Sequence, residues 1–218
     1  MLIKAEKITK KYNNQNILKN VKIDIRKGEI ISIYGPSGSG KTTLLNILSL
    51  LDHPTSGIVE YYTNGSLQNK DFDRVNTVGY IFQFHHLLSE FKIIDNLIIP
   101  QLLAGSKYSK SKLRAEDLLD LVGLYDLKNR YPHEVSGGER QRAAVARGVV
   151  NYPEIVFADE PTGNLDDDNS IIIIKLLNDL RKDFGISFVI ATHDKQITKI
   201  SDKSLYLSGG KLNKTKLK

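Results

Sequence analysis

The sequence predicts an α/β fold with a largely parallel sheet, and three observations carry that prediction. Short β-branched, apolar runs alternate with longer segments of helical period, the pattern of strands joined by helical crossovers. Three of the runs lead into polar, chemically capable residues, which suggests one site along the carboxyl edge of a sheet. A Gly-rich loop joins the first of these runs directly to a helix-forming segment.

Ile30–Tyr34 reads as a buried strand entering the loop Gly35-Pro36-Ser37-Gly38-Ser39-Gly40-Lys41-Thr42, with residues 42–51 as the helix after it. Residues 155–158 form a second apolar strand ending in Asp159 and Glu160, and Ser187–Ala191 a third ending in Thr192, His193 and Asp194. Between Gln83 and Pro153 strand signals fade, and helical patterns cover Ile93–Leu103, 110–122 and 139–150. This reads as a helical insertion, approximately 84–153, within a single domain spanning 1–218. The polar stretch 105–111 reads as a surface turn.

A chain of 218 residues suits one domain with a real core. No stretch approaches the roughly 20 apolar residues that span a bilayer. The start, with Lys4, Glu6 and Lys7 among short apolar residues, lacks the apolar core of a signal peptide. The chain is therefore expected in the cytosol unless a partner holds it on a membrane. The absence of Cys excludes disulfides and thiolate metal sites and agrees with a reducing compartment. A net charge of +6 raises nucleic acid or anionic lipid as partners. The basic residues are scattered, however, and densest in the tail Lys211, Lys214, Lys216 and Lys218. They read as solvated surface, and no nucleic-acid partner is expected.

The 35–42 loop fits G-x-x-x-x-G-K-[ST] in its required strand-to-helix context. Its glycines let successive backbone N–H groups turn toward phosphate oxygens, and the following helix adds its positive end. Lys41 would reach the β- and γ-phosphates of a nucleoside triphosphate, and Thr42 would offer its hydroxyl to Mg²⁺. A carboxylate at Asp159 suits the Mg²⁺ hydration shell, and Glu160 suits orienting or deprotonating an attacking water. His193, at the third strand end, suits contact with the γ-phosphate or that water. Gln83, where the core gives way to helices, suits Mg²⁺ or its water. The pair His85-His86 lacks a third ligand and is not read as a metal site.

The second Gly motif, Val135-Ser136-Gly137-Gly138-Glu139, has the S-x-x-E form of a helix capping box. Capping accounts for Ser136 and Glu139 but not for two glycines, which weaken a first helical turn. Bare backbone at a capped N-terminus suits close approach by an anion. One phosphate loop already surrounds the nucleotide, so this second contact is expected from a second copy of the chain. A GTPase reading fails, because Asn69-Lys70-Asp71-Phe72 places Phe where guanine recognition needs Asp.

Together these motifs resemble the nucleotide-binding subunits of ATP-binding-cassette (ABC) transporters, in order and over nearly the whole chain. Val135 replaces the commoner Leu, a mild apolar departure. The resemblance implies a P-loop NTPase core with an N-terminal antiparallel β subdomain and the inserted helical subdomain. It implies ATP binding by Tyr12, Gly35, Pro36, Ser37, Gly38, Ser39, Gly40, Lys41, Thr42, Thr43, Gln83 and Asp159, with Tyr12 stacked on adenine. Mg²⁺ would lie at Thr42, Gln83 and Asp159, partly through water. Glu160 would act as general base and His193 would position the γ-phosphate. Ser136, Gly137, Gly138 and Glu139 would hold the ATP of a partner copy, and Asp166 would signal across that interface.

Three stretches narrow the resemblance to one branch: residues 82–88, Asp95-Asn96-Leu97 with Pro100, and 159–166. That branch holds lipoprotein-releasing, macrolide-exporting and cell-division ATPases. Phe82-Gln83-Phe84-His85 and Asn169 look most like the lipoprotein-releasing members. A membrane permease would then supply the cargo path, with the chain peripheral on the cytoplasmic face of the inner membrane. The groove near Gln83 and Ile93–Leu103 reads either as subdomain core or as the seat of a permease helix. Macrolide efflux and cell-division signalling remain the alternatives.

Overall fold

β1 (Ile3–Tyr12) and β2 (Gln15–Ile25) pair antiparallel, with Ile3 opposite Ile25 and Tyr12 opposite Gln15. β4 (Ser56–Thr63) joins the other side of β1, and the two-residue β5 (Ser66–Leu67) completes a sheet of order β2-β1-β4-β5. This computed structural model describes residues 1–13, 15–63, 66–67 and 74–214. The stretch Asn69-Lys70-Asp71-Phe72 and the tail lysines Lys216 and Lys218 lie outside the described residues.

The second sheet has the order β10-β9-β3-β8-β7-β6. Its parallel strands are β3 (Ile30–Tyr34), β6 (Val78–Ile81), β7 (Ile155–Asp159), β8 (Ser187–Ala191) and β9 (Lys203–Ser208). β10 (Lys211–Lys214) runs antiparallel at one edge. Every residue of β7 and β8 is buried, as expected of strands covered on both faces. The two-residue period of a strand sends neighbours to opposite cores. Ile31, Ile33, Phe157 and Val189 pack with the first sheet and with α1 (Lys41–Leu48). Ile30, Val156, Phe188 and Ile190 pack with helices on the other face. The α/β class with its added antiparallel sheet is therefore the observed fold.

After the single turn α2 (Arg74–Thr77) and β6, the chain forms α3 (Ile93–Leu103), α4 (Tyr108–Leu121) and α5 (Gly137–Val149) before β7. Two boundaries differ most from the sequence reading. Residues 105–111 are a turn only to Lys107; Ser111 is buried within α4, where its carbonyl accepts from Gln101 Nε2 at 3.0 Å. Ser111, Ala115 and Leu118 recur at helical spacing and are buried, which extends the helix into the polar stretch. α1 stops at Leu48 rather than 51, because Leu50 turns into the left-handed region at φ 59. The long α6 (Asp167–Phe184) and short α7 (Lys195–Ile200) flank β8.

Asn96, buried in α3, organises the approach to that helix. Its Oδ1 accepts from Leu88 N at 2.7 Å, and its Nδ2 faces the carbonyls of Leu88, Phe91 and Lys92 at 3.0–3.3 Å. Asn96→Ala leaves those loop groups without their partner and is expected to destabilise the chain by about 2 kcal/mol. The midpoint of urea denaturation checks this.

Candidate active site

β3, β8 and β7 are neighbours in register: Ile33 pairs with Ala191, and Ala191 with Asp159. The three polar strand exits therefore emerge side by side. They line a cleft of about 700 Å³ with Tyr12, Ile17, residues 35–43, Gln83, Asp159, Glu160 and His193. Every residue that the sequence assigns to binding within one copy reaches this cleft, and Ile17 joins them unanticipated. Residues 136–139 and Asp166 do not line it.

α1 starts where the loop ends. Gly40 is its N-cap at φ 99, a backbone state that side-chain-bearing residues rarely adopt. No side chain caps this end and no acidic residue sits in its first turn. Its free N–H groups and positive dipole end are thus left to an anion. Ser39 Oγ is buried without a hydrogen bond among the described residues, a ready donor for a phosphate oxygen. Lys41 Nζ donates to Gly35 O at 3.0 Å and lies 3.9 Å from Glu160 Oε1.

Thr42 Oγ1 donates to Asp159 Oδ2 at 2.7 Å. Burial raises the Asp159 carboxyl above its ordinary range, the Thr42 bond opposes that shift, and the nearby Glu160 charge adds to it. A hydroxyl, a carboxylate and the Gln83 amide form an all-oxygen donor set, the kind that suits Mg²⁺ held largely through water and phosphate.

Glu160 follows β7 with φ 46, a state costing a residue with a side chain about 1 kcal/mol or more. The sheet enforces it: Glu160 N donates to Ala191 O at 2.9 Å. This turn brings the carboxylate back across the strand ends. Glu160 Oε2 lies 2.9 Å from His193 Nδ1 and accepts from His193 N at 3.3 Å. A carboxylate only accepts, so the imidazole hydrogen belongs on Nδ1 and Nε2 is left for another partner. His193 is 72% exposed at the side chain and Glu160 only 12%, so the carboxylate is sheltered and the imidazole is open to a ligand.

Other residues hold the site in place. Tyr12 OH donates to Asp52 Oδ2 at 2.7 Å, and Lys10 Nζ donates to Asp52 Oδ1 at 2.7 Å. The Lys10 bond, then the Tyr12 bond, hold the Asp52 carboxyl below its usual range. Asn164 Nδ2 donates to Gln83 O at 3.3 Å, tying the loop after β7 to the exit of β6. His85 and His86 are left-handed at φ 58 and 49, and Arg147 of α5 donates to both their carbonyls. The local sequence around Asp52, Asn164 and Arg147 gives no sign of these roles, because each bond joins residues far apart in the chain.

The second motif is a capping box. Ser136 Oγ accepts from Glu139 N at 3.3 Å, and Glu139 Oε2 accepts from Ser136 N at 2.6 Å. That backbone bond draws the Glu139 carboxyl below its ordinary range. Asp166 caps α6 by accepting from Asn169 N at 2.8 Å. Along α3, Ile93, Ile94, Leu97 and Ile98 are core. Phe84, Leu88 and Phe91 in the segment before it are exposed, as is its last residue Leu103 at 82%.

Residues 18–163 match the family described as ABC transporter. The chain is 42% identical to the lipoprotein-releasing system ATP-binding protein LolD of Bacteroides fragilis, over 97% of this chain and 100% of that one. It is 45% identical to the same-named protein of Blochmanniella floridana, over 94% of this chain and 91% of that one. Two solved structures of the cassette MJ0796 cover both chains fully. The dimeric post-hydrolysis state bound to ADP and Pi has TM-score 0.85 and 32% identity. The dimeric bacterial ABC transporter cassette has TM-score 0.86 and 33% identity. With the family's match lying across the phosphate loop and both carboxylates, the chain belongs to the ABC transporter family as an ATP-hydrolysing subunit.

Proposed function

We propose that two copies of the chain close head to tail around two ATPs and drive a separate permease that releases lipoproteins from the inner membrane. One observation carries the shared site: the 35–43 loop, Asp159, Glu160 and His193 line one cleft, while the capped motif 136–139 stands outside it. In each site, the loop of one copy surrounds the phosphates. Ser136, Gly137 and Gly138 of the other copy supply bare backbone and a helix N-terminus to the γ-phosphate. Glu139 keeps that helix start capped, and Asp166 lies at the same interface.

On ATP arrival Lys41 exchanges the loop carbonyls for the β- and γ-phosphates. Thr42, Asp159 and Gln83 would hold Mg²⁺, which when bound neutralises charge on the phosphates. Glu160 takes a proton from the attacking water as its oxygen bonds to the γ-phosphorus and the bond to the β-phosphate oxygen breaks. His193, held through Nδ1, keeps the γ-phosphate in line. Tyr12, braced by Asp52, stacks on adenine. Tyr12→Ala is therefore expected to raise KM for ATP about tenfold, on the scale of base–aromatic stacking, with kcat retained. Steady-state phosphate release against ATP concentration reads it.

No helix among the described residues is long and apolar enough to cross a membrane. The exposed Phe84, Leu88 and Phe91, in the segment that runs from Gln83 to α3, offer an apolar seat for a permease helix. Such a contact would hold the chain peripherally on the cytoplasmic face of the inner membrane. The lipoprotein assignment rests on the relatives that match nearly the full chain. Copurification of the permease from native membranes, followed by ATP turnover in the reconstituted complex, tests it. Turnover should rise when lipoprotein is supplied; a rise with a macrolide instead would replace lipoprotein release by efflux.

A further inference from the structure

The motif assigned above to the partner's ATP and the Asp166 assigned to the same interface are joined, within one copy, by a side chain that neither needs for its own capping. Asn169 lies in the first turn of α6 and is half-buried. Its Nδ2 donates to both carboxylate oxygens of Asp166, each at 2.9 Å. On its other side, a Cβ built on Gly138 would meet Asn169 Oδ1 at 2.0 Å and Cγ at 2.5 Å. Gly137 differs, because the nearest atom to its Cβ position is an Arg140 guanidinium nitrogen at 4.0 Å. The two glycines of the motif therefore have separate reasons. Gly137 presents an open face, whereas the space beside Gly138 is filled by Asn169.

Neither cap explains this packing. α5 is capped by Ser136 and Glu139 between themselves, and α6 by Asp166 through the backbone N–H of Asn169. The Asn169 carboxamide is additional. It is short, has two rotatable bonds, and leaves both Asp166 oxygens if it turns away from Gly138. α5 belongs to the helical insertion and α6 to the α/β core, so this carboxamide sits where the two meet.

We propose that Asn169 is a positioning residue for the ATP-dependent closure of the two copies. Pinned by Asp166, it seats the start of α5, so that residues 136–138 and Asp166 meet the second copy as one surface. The proposal rests on the shared-site reading above. It also gives the missing side chain of Gly138 a reason within its own copy, beside the backbone N–H that it offers to the partner's phosphate.

The test uses chains carrying Glu160→Gln, so that hydrolysis does not dissolve the dimer, and reads the ATP concentration giving half-maximal dimer mass by light scattering. Asn169→Ala is expected to raise that concentration about tenfold, the scale of lost bonds to a carboxylate. Gly138→Ala should raise it about a hundredfold, the upper scale of an overpacked contact. The double variant Gly138→Ala/Asn169→Ala should return to the Asn169→Ala value, because the added methyl enters the space that Asn169 vacates. ATP binding by dilute monomer should stay at the parent value throughout, which a loss of fold would not allow. If Gly138→Ala fails to fold, Asn169→Ala alone decides. A double variant as impaired as Gly138→Ala, or an Asn169→Ala chain that dimerises like its parent, overturns the inference alone. A parent that does not dimerise with ATP overturns the shared site as well.

Discussion

Glu160→Gln is expected to lower ATP turnover by about a thousandfold while ATP binding persists, the scale of removing a general base. The amide keeps the shape of the carboxylate and can still accept from His193 through its oxygen. It cannot take the proton of the attacking water. The geometry favours the carboxylate as the proposed acceptor. The backbone of Glu160 is held in the left-handed region by the bond from its N–H to Ala191 O, and its carboxylate is sheltered against Lys41 and His193. Without turnover the ATP-bound dimer should accumulate. Steady-state phosphate release, with nucleotide binding followed separately, gives both readings. Unchanged turnover would remove Glu160 as the base and leave it only the role of orienting His193.

Ser136→Arg is expected to leave ATP binding by the monomer within about twofold, yet to abolish ATP-driven dimerisation and the turnover that depends on it. Ser136 lies outside the cleft that holds the phosphate loop, and its hydroxyl and N–H are engaged in capping α5. An Arg there removes the cap and places a long side chain where the partner's γ-phosphate would approach. Loss of the cap alone costs about 1 kcal/mol, too little to unfold a domain of this size. Nucleotide binding at low protein concentration, paired with particle mass at high concentration, separates the two effects. Loss of monomer binding would mean that the second motif serves the nucleotide of its own copy.

The cleft was legible in the sequence because its parts are short contiguous motifs at strand exits. Residues 35–42 follow one apolar run, 159–160 another and 192–194 a third, and the parallel register sets them side by side. The supports were not legible, because they are made across the fold. Tyr12 and Asp52 are forty positions apart, and only the β1–β4 sheet and the end of α1 bring them together. The same holds for Arg147 and the two His carbonyls. Asn169 carries a family resemblance in the sequence, but its contact with Gly138 depends on how α5 and α6 pack.

Local pattern also failed where geometry breaks the period. β1 shifts register between Ala5 and Ile8, with Lys7 left-handed at φ 54, so its buried residues do not alternate cleanly. Residues 171–174 are four consecutive Ile, a strand-like run, yet they lie in α6. Asp166 at one end and Gly185 at the other fix the helix limits, and only Ile173 and Ile174 turn inward. Capping overrides β-branched propensity there.

The central claim is that each ATP is held by two copies, one giving the 35–42 loop and the other residues 136–138. Mixing two defective chains tests it most directly. One carries Lys41→Ala and the other Ser136→Arg, both with Glu160→Gln so that ATP is retained. In a mixed pair, the intact loop of the second chain meets the intact 136–138 motif of the first. The account predicts that only the mixture forms ATP-dependent dimers, retaining about one ATP per pair, while each chain alone stays monomeric. A mixture that remains as monomeric as its components would contradict the shared site.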